Sequence, residues 1–218
     1  LTDVNIYYLG NLKFTKKNNI LTYSSVSKNI SIMVASTHHN EEYLMIPYLE
    51  NISKKYPLSN FFIAPRHPQR SKIIYDMLKA KQLDVEYHSL TKNNQCKFLI
   101  IDSFGKMDEF YSKSDIVFLG GSFTKNGGHN PIEAALANCV IITGPNIFNW
   151  QNIYDDMIEK KSCIIVDDPR ELEVRIINLI KDKNLITNFK IKALSFSKSV
   201  FFEENRLLDL INNKLRHN

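Results

Sequence analysis

The sequence contains little glycine, and most of it is concentrated in one place. Only seven of the 218 residues are glycine, and four of these form two adjacent pairs in the stretch FLGGSFTKNGGHNPIEAA, residues 118–135. Adjacent glycines after an apolar run allow the backbone to come close to a neighbouring segment or to a ligand. This stretch is therefore the first candidate for a functional loop.

Cysteine is also scarce. The three cysteines, Cys96, Cys139 and Cys163, do not have the paired spacing of a zinc site. Two of them lie inside apolar, strand-like runs. We therefore expect reduced thiols in the protein core, in a cytosolic setting.

Long apolar runs and dense basic blocks are missing too. The longest charge-free apolar region begins at Ala134 and is broken by polar residues, glycine and proline at 138–146, so it does not predict a spanning helix. The net charge of +5 favours an anionic partner, but the lysines are scattered, which argues against nucleic acid. No signal peptide is visible and residue 1 is not Met, so we expect the chain to be part of a longer protein.

Six short apolar runs rich in Ile, Val and Phe predict a parallel sheet. Their apolarity is continuous, which is typical of strands that are buried on both faces. Helical spacing fills the intervals, and the alternation of strand and helix predicts a doubly wound α/β fold. The runs begin at Ile30, Asn60, Lys97, Asp115, Cys139 and Cys163, and the predicted helices are 41–55, 69–81, 107–112, 131–138, 149–159 and 169–181.

Each predicted strand ends in a polar loop. Ligands of open α/β sheets bind outside the carboxyl ends of the strands, so these loops should share one functional face. The loops are STHHNEE from Ser36, PRHPQR from Pro65, DSFGKM from Asp102, GGSFTKNGGHNP from Gly120, GPNIFNW from Gly144 and DDP from Asp167.

The glycine-rich stretch leads directly into a predicted helix. Pro131 suits the first helical turn, which makes Asn130 the expected N-cap. Free amides at such a start can face an anion, and Glu133 can accept hydrogen bonds from ribose hydroxyls. A tight turn with ordinary capping, in which Glu133 only complements the helix dipole, is the alternative that stays open. The stretch matches neither the Gly-Lys-Ser phosphate loop nor the dinucleotide fingerprint.

Three other loops hold candidate side chains. Arg66 and Arg70 of PRHPQR have planar guanidinium groups that suit a phosphate or a carboxylate. Phe104 of DSFGKM can lean on a flat base, and Ser36 of STHHNEE can touch an anion. Solvated turns and core packing are the alternatives. The acids of STHHNEE are explained as charges of a first helical turn, and we expect neither a metal nor another cofactor.

Read in chain order, these loops resemble a known family. GNLKF from Gly10, STHHNEE, PRHPQR, DSFGKM, GGS, GGHNPIE and GPNIFNW are similar to the C-terminal half of the Kdo transferases. These bacterial enzymes move 3-deoxy-D-manno-octulosonic acid (Kdo) from CMP-Kdo to a lipid A precursor. The resemblance is close for residues 5–148 and looser beyond. It implies a Rossmann-like doubly wound parallel sheet, the C-terminal half of a GT-B glycosyltransferase.

The resemblance also implies a CMP site. Arg66 would be a candidate to stabilise the leaving phosphate, because charge that develops there needs fixed positive partners. Lys13 and the amides around Ser122 and Gly128 are further candidates for that role, and Ser36 is a candidate contact. The implied CMP contacts are Pro65 and Arg66, then Phe104, Gly105 and Lys106 for cytosine and ribose, and Asn130, Pro131, Ile132 and Glu133 for ribose and phosphate.

Three positions depart from the family pattern. Asn40 stands where glycine is common, so we expect a differently shaped helix start. Ala134 stands where proline is usual, which should leave the ribose contact intact. Lys106 lies where the family usually carries an acid, so we expect any contact there to use the backbone.

The resemblance predicts the domain organisation and partners. Residues 1–200 would be the CMP-Kdo-binding domain, and residues 201–218 a C-terminal amphipathic helix. The family's acceptor domain, with its membrane anchor and catalytic residues, is not found in this chain, so the chain alone should not transfer sugar efficiently. The expected partners are CMP-Kdo and, through that domain, a lipid A precursor at the cytoplasmic face of the inner membrane. A GT-B transferase that uses a UDP-sugar and a non-catalytic nucleotide-sensing or membrane-surface module are the alternatives.

Overall fold

A computed structural model of the chain describes residues 29–91, 96–200 and 212. Several predictions fall outside these residues and are not tested by the structure. They concern the GNLKF motif, Lys13 and nearly all of the predicted C-terminal amphipathic helix, residues 201–218.

Seven parallel strands form one sheet in the order β3-β4-β2-β1-β5-β6-β7. Every pairing between neighbours is parallel, from Val85 opposite Phe98 at one edge to Ile142 opposite Ile164 at the other. The strands are β1 Ser31–Thr37, β2 Asn60–Pro65, β3 Val85–Tyr87, β4 Phe98–Ile100, β5 Ile116–Leu119, β6 Val140–Thr143 and β7 Ile164–Ile165.

Helices cover both faces of the sheet, as continuous apolar strands require. Alternate residues of β1 show this, because Met33 belongs to the core on one face and Ile32 to the core on the other. The helices are α1 Glu41–Lys55, α2 Ser71–Ala80, α3 Met107–Ser112, α4 Ile132–Leu136, α5 Gln151–Glu159, α6 Pro169–Lys181 and α7 Lys183–Ser199. Short 3-10 turns at Pro68–Arg70 and Phe148–Trp150 lead into α2 and α5.

Local sequence signals explain where some helices begin. Asp168 caps α6 by accepting a hydrogen bond of 2.8 Å from the Glu171 amide, while the Glu171 carboxylate accepts one of 2.9 Å from the Asp167 amide. Pro169 occupies the first turn, where its missing N–H costs nothing. The DDP loop is thus a capping motif.

The predicted fold is confirmed, although several elements differ from the prediction and α7 is not among the predicted helices. Strand β3 was not predicted, because Val85–Tyr87 is a three-residue edge strand with only one buried residue. Helix α4 is shorter than the predicted 131–138 and ends at Leu136. The three cysteines are buried free thiols, as expected. None of the described helices has the length and apolar character needed to cross a bilayer.

The strand order reverses between β1 and β5. Strand β1 pairs with β2 on one side and with β5 on the other, so the connections leave this point in opposite directions. Such a switch point opens a crevice at the carboxyl ends of the strands, where α/β sheets bind ligands. The loops after β1 and β5 line it directly, and the loop after β2 lies beside them.

Candidate functional site

A buried carboxylate joins the two loops at the switch point. Glu41, the first residue of α1, is 0% exposed. Its Oε2 accepts hydrogen bonds from the amides of His38 at 2.8 Å and Gly121 at 2.6 Å. Its Oε1 accepts hydrogen bonds of 2.9 Å from the amides of Ser122 and Phe123. Four N–H donors therefore hold one carboxylate, and they fix the start of α1 against the loop that follows β5.

The neighbouring acid holds the loop after β2. Glu42 accepts two hydrogen bonds of 2.8 Å from the guanidinium of Arg70 and a third, of 2.6 Å, from the hydroxyl of Thr37. The Glu42 side chain is 2% exposed, so this ion pair is shielded from water. The sequence analysis gave the Arg70 guanidinium as a candidate for binding a phosphate or a carboxylate. In the structure it is held by the Glu42 carboxylate of the chain itself.

Both acids of STHHNEE therefore do more than complement the dipole of α1. The sequence gives only an indirect signal for this role, two adjacent acids immediately after a buried strand that faces a glycine-rich loop. Arg70 lies 28 positions after Glu42, and Gly121 lies 80 positions after Glu41. Local spacing in the sequence could not reveal these contacts.

The glycines of the loop after β5 make room for protein atoms. A Cβ on Gly120 would lie 2.8 Å from the Thr37 Cα and 2.9 Å from the Glu41 carboxylate. Gly127 has a φ of +83°, and a Cβ there would lie 2.4 Å from the side-chain amide of Asn149. Glycine is thus required because the loops pack tightly here, which is the close approach of a neighbouring segment that the sequence analysis gave as one explanation.

Two amides assigned to the leaving phosphate are already engaged. The Ser122 amide donates to Glu41, and the Gly128 amide donates to the Gly121 carbonyl at 2.9 Å. The Ser122 side chain is fully buried, and its hydroxyl donates to the Leu119 carbonyl at 2.7 Å. In this structure, Ser122 and Gly128 shape the loop and present no free amide to a ligand.

Replacing Gly120 with alanine should destabilise the domain by about 1–3 kcal/mol, the usual cost of overpacking. The new methyl group would meet backbone atoms of β1, which cannot move aside as a flexible side chain would. Urea unfolding followed by circular dichroism measures the change. Lys125→Ala, at an exposed position of the same loop, is the control. An equal loss of stability in both variants would contradict the packing explanation.

Asn130 holds the turn before α4, but it is not the N-cap that the sequence predicts, because the helix begins one residue later and Pro131 occupies that position. The Asn130 side chain accepts a hydrogen bond of 3.0 Å from the Ile132 amide, and the helix runs from Ile132. Glu133 lies in the first turn and is exposed at the same edge. Pro131 and Ile132 are buried and fix the position of this turn.

The loops after β2 and β4 present exposed groups at the same edge. Arg66 is exposed, and its amide donates to the Thr37 carbonyl at 2.9 Å, which holds this loop against the end of β1. Pro65 is the buried last residue of β2. Phe104 is 70% exposed, Gly105 has a φ of +75°, and the Lys106 ammonium lies 3.4 Å from the Glu109 carboxylate.

Two positions in the loop after β1 have left-handed backbone. Ser36 has a φ of 56° and sits at the irregularity between Ala35 and Thr37. Asn40 has a φ of 71° directly before α1. Because asparagine adopts this conformation more readily than other side chains do, it can replace the family's glycine here. Asn40 therefore does not require the differently shaped helix start that we expected.

Histidines that the sequence analysis left out of the site converge on the switch point. The rings of His38 and His129 meet end to end, with their planes at 17°, their centroids 5.1 Å apart and their Nε2 atoms 2.9 Å apart. The His67 ring meets His38 edge-on at 6.4 Å. Burial, with His38 and the positive charge of Arg66, lowers the pKa of His129 to about 4. Burial is also the main cause that lowers the pKa of His38.

A cavity in the described part of the chain lies elsewhere. About 480 Å³ in volume, it lies beside β7, between the end of α5 and the helices α6 and α7. Its walls are mostly apolar, and it is not lined by any of the residues at the carboxyl edge. The switch point is the better candidate for a ligand site, because polar and charged groups from the loops after β1, β2 and β5 meet there.

No protein-family model matches the chain, but curated sequences do. It is 30% identical over 204 residues to a 3-deoxy-D-manno-octulosonic acid transferase of Rickettsia conorii, covering 87% of this chain and 43% of that protein. It is 32% identical over 203 residues to the transferase of the same name from Rickettsia bellii, covering 86% and 47%. The chain thus spans somewhat less than half the length of these relatives.

A solved structure supports the same relationship at the level of fold. The C-terminal CMP-Kdo binding domain of WaaA from Acinetobacter baumannii matches with a TM-score of 0.73 and 23% identity, covering 78% of this chain and 89% of that domain. The parallel sheet with helices on both faces is that of the C-terminal domain of GT-B glycosyltransferases. The chain is therefore a relative of the Kdo transferases, and it has the fold of their C-terminal domain.

Proposed function

We propose that this chain is the donor-binding part of a glycosyltransferase that moves Kdo from CMP-Kdo to a lipid A precursor in the synthesis of lipopolysaccharide. Similarity to the named transferases supports the reaction. The observation that carries the site is the convergence of the loops after β1, β2 and β5 at the switch point, which leaves Arg66 and Glu133 exposed on neighbouring loops.

Each loop has its own part in the proposed site. Arg66 binds the phosphate, because its guanidinium is exposed and lies close enough to His129 to lower the pKa of that ring. Glu133 accepts hydrogen bonds from the ribose hydroxyls, with Asn130 holding the turn in place. The exposed ring of Phe104 packs on cytosine, and Gly105 and Lys106 complete that wall.

The proposed chemistry assigns one main task to these residues. The acceptor hydroxyl attacks the anomeric carbon of Kdo, and CMP leaves with a growing negative charge on its phosphate. A fixed cation such as Arg66 stabilises that charge most when water is excluded. Transfer also requires the acceptor hydroxyl to be held in line with the bond that breaks. We therefore expect the 218 residues alone to bind CMP without efficient transfer.

The family resemblance extends the proposal to a place in the cell. We propose that the complete enzyme works at the cytoplasmic face of the inner membrane, where it meets the lipid A precursor. The residues that we propose to bind CMP-Kdo do not need to contact lipid. Glu133→Ala should accordingly weaken the binding of CMP. It should not change the binding of the chain to vesicles that contain acidic lipid.

Calorimetric titration of the 218-residue chain with CMP, UMP and UDP-GlcNAc tests the choice of donor. We expect CMP to bind at least tenfold more tightly than the two uridine nucleotides, a difference of about 1.4 kcal/mol. Tight binding of UDP-GlcNAc with none of CMP would favour a transferase that uses a UDP-sugar. Failure of all three to bind, with retained binding to acidic vesicles, would favour a membrane-surface module.

A further inference from the structure

The buried carboxylates of the switch point, Glu41 and Glu42, do not pair with all of its positive or protonatable groups. The carboxylate of Glu41 is occupied by four backbone amides, and that of Glu42 by Arg70 and Thr37. Arg66 and the imidazoles of His38, His67 and His129 remain at the mouth of the crevice. This imbalance is typical of a site that receives an anion.

The imidazoles of His38 and His129 form a defined, hydrogen-bonded pair. An Nε2 to Nε2 distance of 2.9 Å requires one ring to donate its Nε2–H and the other to accept it with a bare Nε2. In the uncharged pair the accepting ring carries its proton on Nδ1, and the donating ring has a bare Nδ1. One added proton on that bare Nδ1 gives a singly charged pair with N–H groups at both Nδ1 atoms and the Nε2 hydrogen bond intact.

Gly121 is needed for this arrangement. A Cβ at residue 121 would lie 3.2 Å from the His38 ring and 3.3 Å from the His129 ring. The amide of Gly121 is meanwhile held by Glu41. The loop after β5 is therefore shaped to accommodate both imidazoles at the point where the strand order reverses.

From this geometry we propose that His38 and His129 form a phosphate-binding imidazole pair that takes up one proton from solvent when the nucleotide binds. The proposal rests on the proposed function, since the anion is the phosphate of CMP. Arg66 supplies the fixed positive charge, and the proton adds a second charge only when the phosphate is present. Neither histidine belongs to the CMP contacts that the family resemblance implied.

The charges around the imidazole pair decide whether its pKa rises or falls when the nucleotide binds. On the loop after β2, Arg66, His67 and Arg70 oppose protonation of His38, while Glu41 on α1 favours it. Burial and Arg66 oppose protonation of His129. A phosphate beside Arg66 offsets that opposition and raises the pKa of the pair. Binding should therefore take up a proton between the free and bound pKa values, and CMP affinity should fall as the pH rises through that window and level off above the bound value.

Calorimetry in buffers of different ionisation enthalpy measures that proton directly. For the wild-type chain near pH 7 we expect an uptake approaching about one proton per CMP, and no uptake with cytidine, which lacks the phosphate. His129→Asn should abolish the uptake and weaken CMP binding by about tenfold. His39→Asn, at the exposed neighbouring histidine, is the matched control and should behave like wild type.

The outcomes separate this proposal from the proposed function. If CMP does not bind to the wild-type chain, the proposed function fails. If CMP binds and wild type and His129→Asn take up equal numbers of protons, the imidazole pair is overturned while CMP binding stands. Nitrogen chemical shifts of the imidazoles in the wild-type chain require no variant. They should show a neutral pair without ligand and a charged one with CMP, and unchanged shifts would also overturn the proposal.

Discussion

Replacing Glu41 with leucine is expected to lower the free energy of unfolding by about 3–5 kcal/mol, the range seen when one partner of a buried charged contact is removed. The leucine side chain accepts no hydrogen bond, so the amides of residues 38, 121, 122 and 123 would lose their acceptor. Each buried donor without a partner costs about 1–3 kcal/mol, and partial entry of water limits the sum.

Two further variants make the Glu41 experiment specific. Glu41→Gln keeps one carbonyl oxygen but turns an NH₂ group toward two of the amides, so its loss should be intermediate, about 2 kcal/mol. Glu159→Gln changes an exposed glutamate at the end of α5 and should stay within about 0.5 kcal/mol of wild type. Urea unfolding gives all three values. A leucine variant within 1 kcal/mol of wild type would contradict the role of the four hydrogen bonds.

Removing the side chain of Arg66 or Glu133 is expected to weaken CMP binding by about 10- to 100-fold, because hydrogen bonds to charged groups contribute about 1.5–3 kcal/mol. The two variants should each lose contact with a different part of the ligand, the phosphate for Arg66 and the ribose for Glu133. Arg66→Ala should weaken binding of CMP and leave binding of cytidine unchanged. Glu133→Ala should weaken both, but should have little effect on a cytidine monophosphate that lacks the ribose hydroxyls.

Conservative variants at the same positions sharpen that experiment. Arg66→Lys keeps the charge and loses the planar guanidinium, so it should recover only part of the affinity for CMP. Lys125→Ala removes another exposed cation from the loop after β5 and serves as the control. Loss of affinity in Lys125→Ala equal to that in Arg66→Ala would mean that general charge attracts the nucleotide. Equal losses for cytidine and CMP in Arg66→Ala would contradict its assignment to the phosphate.

The sequence predicted the fold well because burial on both faces leaves a strong local signal. Runs such as residues 60–65 and 116–119 are apolar at nearly every position, and they became β2 and β5. The edge strand β3 gave no such signal, since Glu86 is exposed and the strand is only three residues long. The local role of Asn130 was predicted only in part: its side chain accepts a hydrogen bond from the amide two positions on, but Pro131 and not Asn130 is the N-cap of α4.

The interior of the site could not be predicted in the same way. Glu41 and Gly121 are 80 positions apart, and His38 and His129 are 91 apart, so only the parallel pairing of β1 with β5 brings them together. The glycine pairs were noticed from the sequence, but the protein groups that pack against them could not be named. Their missing side chains leave space for the Glu41 carboxylate, two imidazoles and the loop after β6.

A structure of the 218-residue chain with bound CMP is the most direct test of the donor site. We expect the nucleotide outside the carboxyl ends of β1 and β5, with its phosphate on the Arg66 guanidinium and its ribose hydroxyls on the Glu133 carboxylate. The Glu41 carboxylate should keep its four amides. Binding of CMP in the cavity beside β7, or displacement of Glu41 so that the phosphate takes the amides of residues 121–123, would contradict the proposed site.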